Sequence, residues 1–243
     1  MGNTLTQLLQ LANGTRAAFV GAGGKTSIIH LLAAQNSHLP VLVTTTTKIL
    51  PLRQNNVTLC NNLQSCLAHT PAPGTVCAGQ LNPATGKLEA FAEGELATLC
   101  KPYPLVLIEA DGSRGLPCKG WAANEPVVPA FTTTTVGVLT LGGLHKPATK
   151  GIVLRLPQFL ALTGLQKGQP ITLAALAAMA SSPAGMFKNA KGTLALVINQ
   201  AETPPQIELA NQLVQHIKQQ NPGLIGRYII GSAQQNRWQL ARK

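Results

Sequence analysis

The chain is a succession of short apolar runs separated by segments of helical period. Residues 16–21 (RAAFVG), 41–45 (VLVTT), 105–110 (LVLIEA), 136–141 (VGVLTL), 194–199 (LALVIN) and 227–231 (RYIIG) lack the in–out alternation of half-solvated strands. That is the pattern of strands buried on both faces, as in a parallel sheet. Residues 26–35, 156–165, 173–180 and 205–219 carry apolar side chains at helical spacing,. Strand, helix and strand within residues 16–45 form a βαβ unit, so the expected fold class is a three-layer α/β domain with a mainly parallel sheet.

Weaker patterns fill the rest. Residues 4–12 (TLTQLLQLA) predict a short amphipathic helix closed by Asn13-Gly14,. In residues 51–103, VTLC (57–60) and TVCAG (75–79) read as strands. Pro71, Pro73, Gly74, Asn82, Pro83 and Gly86 mark turns,. Residues 227–231 are the last expected strand, and the tail carrying Arg237, Trp238, Arg242 and Lys243 is expected to fray or to dock. No repeat or low-complexity linker appears. One domain over residues 1–243 is expected, with a small helical insert at about 145–190,.

Composition narrows the class. With 45% hydrophobic and 11% charged residues in 243, the chain is neither disordered nor a coiled coil,. Folding at this size buries about 70% of the surface. No apolar run approaches the ~18 residues of a membrane span. The net charge of +11 comes from scarce acids, because Asp111 is the only aspartate. The bases are scattered and aromatics make up 4% of the chain, so nucleic acid is an unlikely partner and an anionic small ligand or an acidic protein fits the field,. Five cysteines without a CxxC pair, and no signal-peptide pattern, predict reduced, buried thiols in the cytoplasm,. Met1-Gly2 opens a loose myristoylation pattern, read as coincidence,. The five histidines show no ligand spacing and carry no metal assignment.

The most specific chemistry follows the first strand. Gly21-Ala22-Gly23-Gly24-Lys25-Thr26-Ser27 leads directly into a helix. Glycines permit the positive φ values that turn backbone N–H groups toward phosphate oxygens, and a helix start adds its dipole. Lys25 is placed to reach β/γ-phosphates and Thr26 to supply a hydroxyl to Mg²⁺. The spacing is G-x-x-G-K-T, two residues shorter than the usual phosphate loop (P-loop), because Phe19 stands where the first glycine would be. Mur-type peptide ligases have a similarly compact loop. Thr45 and Thr46, at the end of the second strand, are candidate contacts beside the γ-phosphate.

The strand at 105–109 delivers carboxylates at its end. Glu109 and Asp111 alternate and so share a side of an extended chain,. One would serve Mg²⁺, for which Asp111 is the candidate, and the other would orient water. Arg114 and Lys119 follow as candidate anion contacts, and Trp121 is expected to pack rather than stack on a ligand. Asn199-Gln200-Ala201-Glu202 ends a later strand at the place where G proteins carry Asn-Lys-x-Asp. Asn199 would brace the site, Glu202 would read a base, and Ser232 would lie in the small-residue loop that closes over it.

Taken together, VGAGGKTS (20–27), VLVTTTTKI (41–49), VLIEADGSRGLPCKG (106–120), NEPVVP (124–129), AGMFKNAKG (184–192) and LVINQAE (196–202) resemble the YqeC family of accessory proteins of selenium-dependent molybdenum hydroxylases. Two positions depart from the family pattern, with Asn124 where a histidine is frequent and Leu154 before Arg155. The resemblance implies a P-loop NTPase-like fold and a role in maturing such hydroxylases. It also implies a hydroxylase or its maturation factors as protein client, a labile selenium donor, and a molybdopterin-type cofactor. The leading reading is an Mg-ATP or Mg-GTP hydrolase that drives cofactor or selenium handling. A kinase or nucleotidyltransferase acting on an anionic substrate, with Glu109 as base, and a non-catalytic binder of a phosphate-bearing cofactor are the alternatives.

Overall fold

The computed structural model describes residues 3–52 and 56–242. The myristoylation pattern at Met1-Gly2 and the terminal Lys243 lie outside the described residues. The chain opens with α1 (Leu5–Leu9), β1 (Thr15–Gly21), α2 (Lys25–Gln35), β2 (Pro40–Thr45) and β3 (Lys48–Ile49). Then come β4 (Val57–Cys60), α3 (Leu63–Ala68), β5 (Gly74–Ala78), β6 (Gln80–Asn82), β7 (Lys87–Glu89) and α4 (Glu93–Cys100). The middle of the chain holds β8 (Leu105–Glu109), β9 (Cys118–Lys119), β10 (Thr134–Thr140) and β11 (Val153–Leu154). It closes with α5 (Leu156–Thr163), α6 (Leu173–Ser181), β12 (Thr193–Asn199), α7 (Pro204–Gln220), β13 (Arg227–Ser232) and β14 (Arg237–Leu240).

A nine-stranded sheet in the order β14-β13-β12-β10-β1-β8-β2-β5-β4 forms the middle layer. Every neighbouring pair is parallel except β13 with β14. The central strands are continuous apolar runs because both faces are covered. Ala17 and Phe19 of β1 pack with Ile28, Ile29 and Leu32 of α2 and with Leu5 and Leu8 of α1. Ala18 and Val20 turn the other way, into a cluster with Phe159 of α5, Leu176 of α6 and Leu213 of α7. A third cluster joins Val106 and Ile108 of β8 to Leu96 and Leu99 of α4. The result is a three-layer α/β architecture dominated by one mostly parallel sheet.

Two small sheets carry connections. One is β3-β7-β6 and the other pairs β11 with β9, setting Leu154 beside Lys119. Neither is legible in the sequence, since two- and three-residue strands have no period. α1 ends at Gln10, which turns left-handed at φ 54, so the helix stops before the predicted Asn13-Gly14. The tail, expected to fray or to dock, docks onto the sheet: it adds β14, an antiparallel edge strand whose Trp238 is 9% exposed against α1 and β13. The turn at 233–236 returns the chain onto β13, so the strand at 227–231 is not the last.

Among the described residues no helix is long and apolar enough to cross a membrane. All five cysteines are free and buried.

Candidate functional site

β1 delivers Gly21 to the edge of the sheet where parallel strands end and helices begin. Gly21, Gly23 and Gly24 have φ values of 101°, 116° and 98°, which side-chain-bearing residues rarely adopt,. Space forbids a side chain as well. A Cβ on Gly21 would run into the carbonyl oxygen of Val138, and one on Gly24 would lie 2.8 Å from the Asn199 amide nitrogen. The loop is therefore tight against β10 and β12. α2 starts at Lys25, and its first helical bond in the chain is Ile28 N–H to Gly24 O at 3.1 Å. The earlier N–H groups of the first turn have no carbonyl within the helix, and Gly24 has no side chain to cap them,. Such a helix start attracts anions.

Asp111 is the hub beneath the loop. It is fully buried and accepts the Gly21 N–H on both carboxylate oxygens at 3.1 Å. Lys25 Nζ stands 3.1 Å from Oδ1 and also donates to Gly21 O at 2.6 Å. Lys119 Nζ and Trp121 Nε1 donate to Oδ2 at 3.1 Å and 2.8 Å. Lys119 continues to Glu125 at 3.4 Å, and Arg155 holds Glu125 through two hydrogen bonds of 2.8 Å and 2.6 Å. Lys25, Asp111, Lys119, Glu125 and Arg155 thus alternate in charge from the buried loop to the surface. Burial pushes the Glu125 carboxyl up, but the Arg155 hydrogen bonds and the charges of Lys119 and Arg155 outweigh it and hold it below the usual value.

Glu109 faces a different partner. Its Oε2 accepts the Thr26 hydroxyl at 2.9 Å. Burial raises its carboxyl above the ordinary glutamate value, opposed by the Lys25 charge and the Thr26 hydrogen bond. Thr45 donates to the Glu109 carbonyl at 2.9 Å, and the Thr46 hydroxyl bonds to Val127 O at 2.6 Å. β2, β8 and the start of α2 are tied at one point, with Thr26 and Ser27 still exposed.

The predicted residues divide accordingly. Gly21, Ala22, Gly23, Gly24, Lys25, Thr26, Glu109, Asp111 and Thr45 gather at one sheet edge. Asn199 braces the loop, donating to Gly23 O and accepting from Ala233 N–H, both at 2.9 Å. Glu202 accepts from Ser232 at 2.8 Å. Thr26 and Asp111, expected to share a magnesium ion, are not paired with each other, because Asp111 is enclosed by two lysines and Thr26 reaches Glu109. Lys119, expected to meet an anionic ligand, is wholly buried between Asp111 and Glu125. Arg155 faces Glu125, whereas Arg114 is exposed with a left-handed backbone at φ 52. The Trp121 side chain packs as expected and adds an indole hydrogen bond that sequence reasoning missed. Glu125 carried no role in the sequence reading; its signals there are the scarcity of acids and its place in the NEPVVP segment.

Among the described residues no group of three or more His, Cys, Asp and Glu is placed to hold a metal ion. The family model described as "YqeC protein" matches residues 17–157. The chain belongs to the YqeC family. A relative from Escherichia coli (strain K12), named "Uncharacterized protein YqeC", is 35% identical over 185 residues, covering 72% of this chain and 71% of the relative. The YqeC match spans the glycine loop, the threonine run, the acidic strand end, Glu125 and Arg155. Asn199, Glu202 and Ser232 lie beyond it.

Proposed function

We propose that this YqeC-family chain binds ATP or GTP with Mg²⁺ at the β1–α2 loop and hydrolyses it, as an accessory protein in the maturation of selenium-dependent molybdenum hydroxylases. The observation that carries the nucleotide reading is the loop itself. Three glycines at positive φ precede an uncapped helix start that carries an exposed Thr26 and, folded onto Asp111 beneath the loop, Lys25. The donor set suits phosphate, with backbone N–H groups, a lysine and a helix dipole converging. It also suits magnesium supplied with the nucleotide, which needs only one or two hard oxygens from the protein besides phosphates and water. Those oxygens are the Thr26 hydroxyl and the Glu109 carboxylate. Bound magnesium would supply charge neutralisation on the phosphates.

Within this reading Glu109 holds the Thr26 hydroxyl in orientation. Thr45 and Thr46 fix the neighbouring strand end. Asn199 keeps the loop closed on β12, and Glu202, paired with Ser232, is the candidate for contact with a base. The maturation role rests on the family resemblance alone, and the basic surface suits an anionic cofactor such as a molybdopterin-type pterin.

Calorimetric titration with Mg-ATP and Mg-GTP tests the reading. Wild-type protein binds one of them with micromolar affinity, and Lys25→Ala loses that binding while its thermal unfolding remains cooperative. Asp111 keeps Lys119, Trp121 and the Gly21 N–H in that variant, so the fold has its anchor. Equal affinity in the two proteins would sink the proposal.

A further inference from the structure

The Asp111 cluster poses a question of charge. Lys25 is the lysine that would meet phosphate, yet it is 3% exposed and held by a carboxylate and a carbonyl oxygen. A lysine in such a pair is released only if the carboxylate it leaves stays satisfied, because a lone buried charge costs several kcal/mol. Asp111 has the means. Its Oδ2 takes Lys119 and Trp121 independently of Lys25, and the Gly21 N–H bridges both oxygens. Lys119 in turn is wholly buried and cannot itself reach an external ligand. Its third contact, the Gly112 carbonyl at 2.8 Å, fixes it on the Asp111 side.

Resting on the nucleotide reading above, we propose that Lys119 is a positioning residue that sets the phosphate affinity of the site: it neutralises Asp111 so that Lys25 can leave for phosphate. Asp111 then is the resting place of Lys25 rather than a metal ligand. Glu125, held by Arg155, keeps Lys119 in place from the opposite side.

Three variants test this: Lys119→Met, Lys119→Arg, and the pair Asp111→Asn with Lys119→Met. Removing Lys119 leaves Lys25 as the only lysine on Asp111, so Mg-nucleotide affinity falls by about tenfold, the scale of one charge-assisted hydrogen bond. Lys119→Arg recovers part of it. Adding Asp111→Asn removes the trap, and affinity returns toward wild type. A residue that merely supported the fold would make the double variant no better than the single. Unchanged affinity in Lys119→Met, or no recovery in the double variant, overturns the proposal.

A second readout needs no nucleotide. Acetic anhydride labelling at Lys25, read by peptide mass spectrometry, is slower in Lys119→Met and faster in Asp111→Asn than in wild type. If Lys119→Met does not fold, Lys119→Gln, which also removes the charge, takes its place with the same slower labelling expected. If wild-type protein binds neither nucleotide, the proposed function fails, and these labelling rates still decide the role of Lys119. Equal rates in all folded variants overturn it.

Discussion

Glu109 and Asp111 stand two residues apart at one strand end and meet different environments. Asp111 has two lysines and two N–H donors, whereas Glu109 has a hydroxyl and a buried setting. Burial raises the Glu109 carboxyl above its ordinary value of 4.5. Between those two values the folded state retains a proton that the unfolded chain has lost, so stability falls as pH rises through the window. Glu109→Gln removes that slope. Urea midpoints without nucleotide, taken from about pH 4 to pH 8, should show the variant gaining on wild type as pH rises and then levelling off. A constant difference across pH would mean that Glu109 keeps its ordinary titration in the fold. The alternation of these two acids was legible in the sequence. Their partners were not, because Lys119 and Trp121 reach Asp111 only through the turn after β8.

At the scale of elements, the buried strands and long helices follow their sequence pattern closely. β1, β2, β8, β10, β12 and α7 lie within a residue or two of the predicted spans. An apolar run with both faces buried has one stable destination in an α/β sheet. The edges escape this logic. β14 reads RWQL, a polar tetrapeptide with one aromatic, and only its antiparallel pairing with β13 makes it a strand. Trp238 supplies the apolar contact, packing in the cluster that holds Leu5 and Leu8 of α1. Trp238→Ala is expected to cost about 3–5 kcal/mol, as deletion of a large buried aromatic does, read as a lowered denaturant midpoint at constant slope. A cost below about 0.5 kcal/mol, the range of exposed positions, would show that the edge strand is not anchored by this ring.

For the whole molecule, the charge and the thiols are the global quantities. Desolvation raises every cysteine for which a shift is resolved: Cys60 upward, Cys77 to about 11, and Cys66, Cys100 and Cys118 to about 12. Thiolate is the reactive form, so these groups are inert in the native state. Ellman's reagent should titrate none of them in folded protein and all five in guanidinium chloride. A fast-reacting native thiol would show that the core opens around it.

What depends on local order is legible along the chain: the glycine loop before a lysine, the acids at the end of an apolar strand, the buried strands and the family. Glycine at positive φ and apolar runs act over a few residues, so their consequences are written in the chain. The tertiary structure alone decided which charges meet. Lys25, Lys119 and Trp121 converge on Asp111 across separations of up to 86 residues between Lys25 and Asp111. Glu109 rather than Asp111 faces Thr26, and the polar tail becomes an edge strand. Pairing of buried charges is set by how strands order and loops return. Those depend on the burial of the whole sheet, a sum no local window contains.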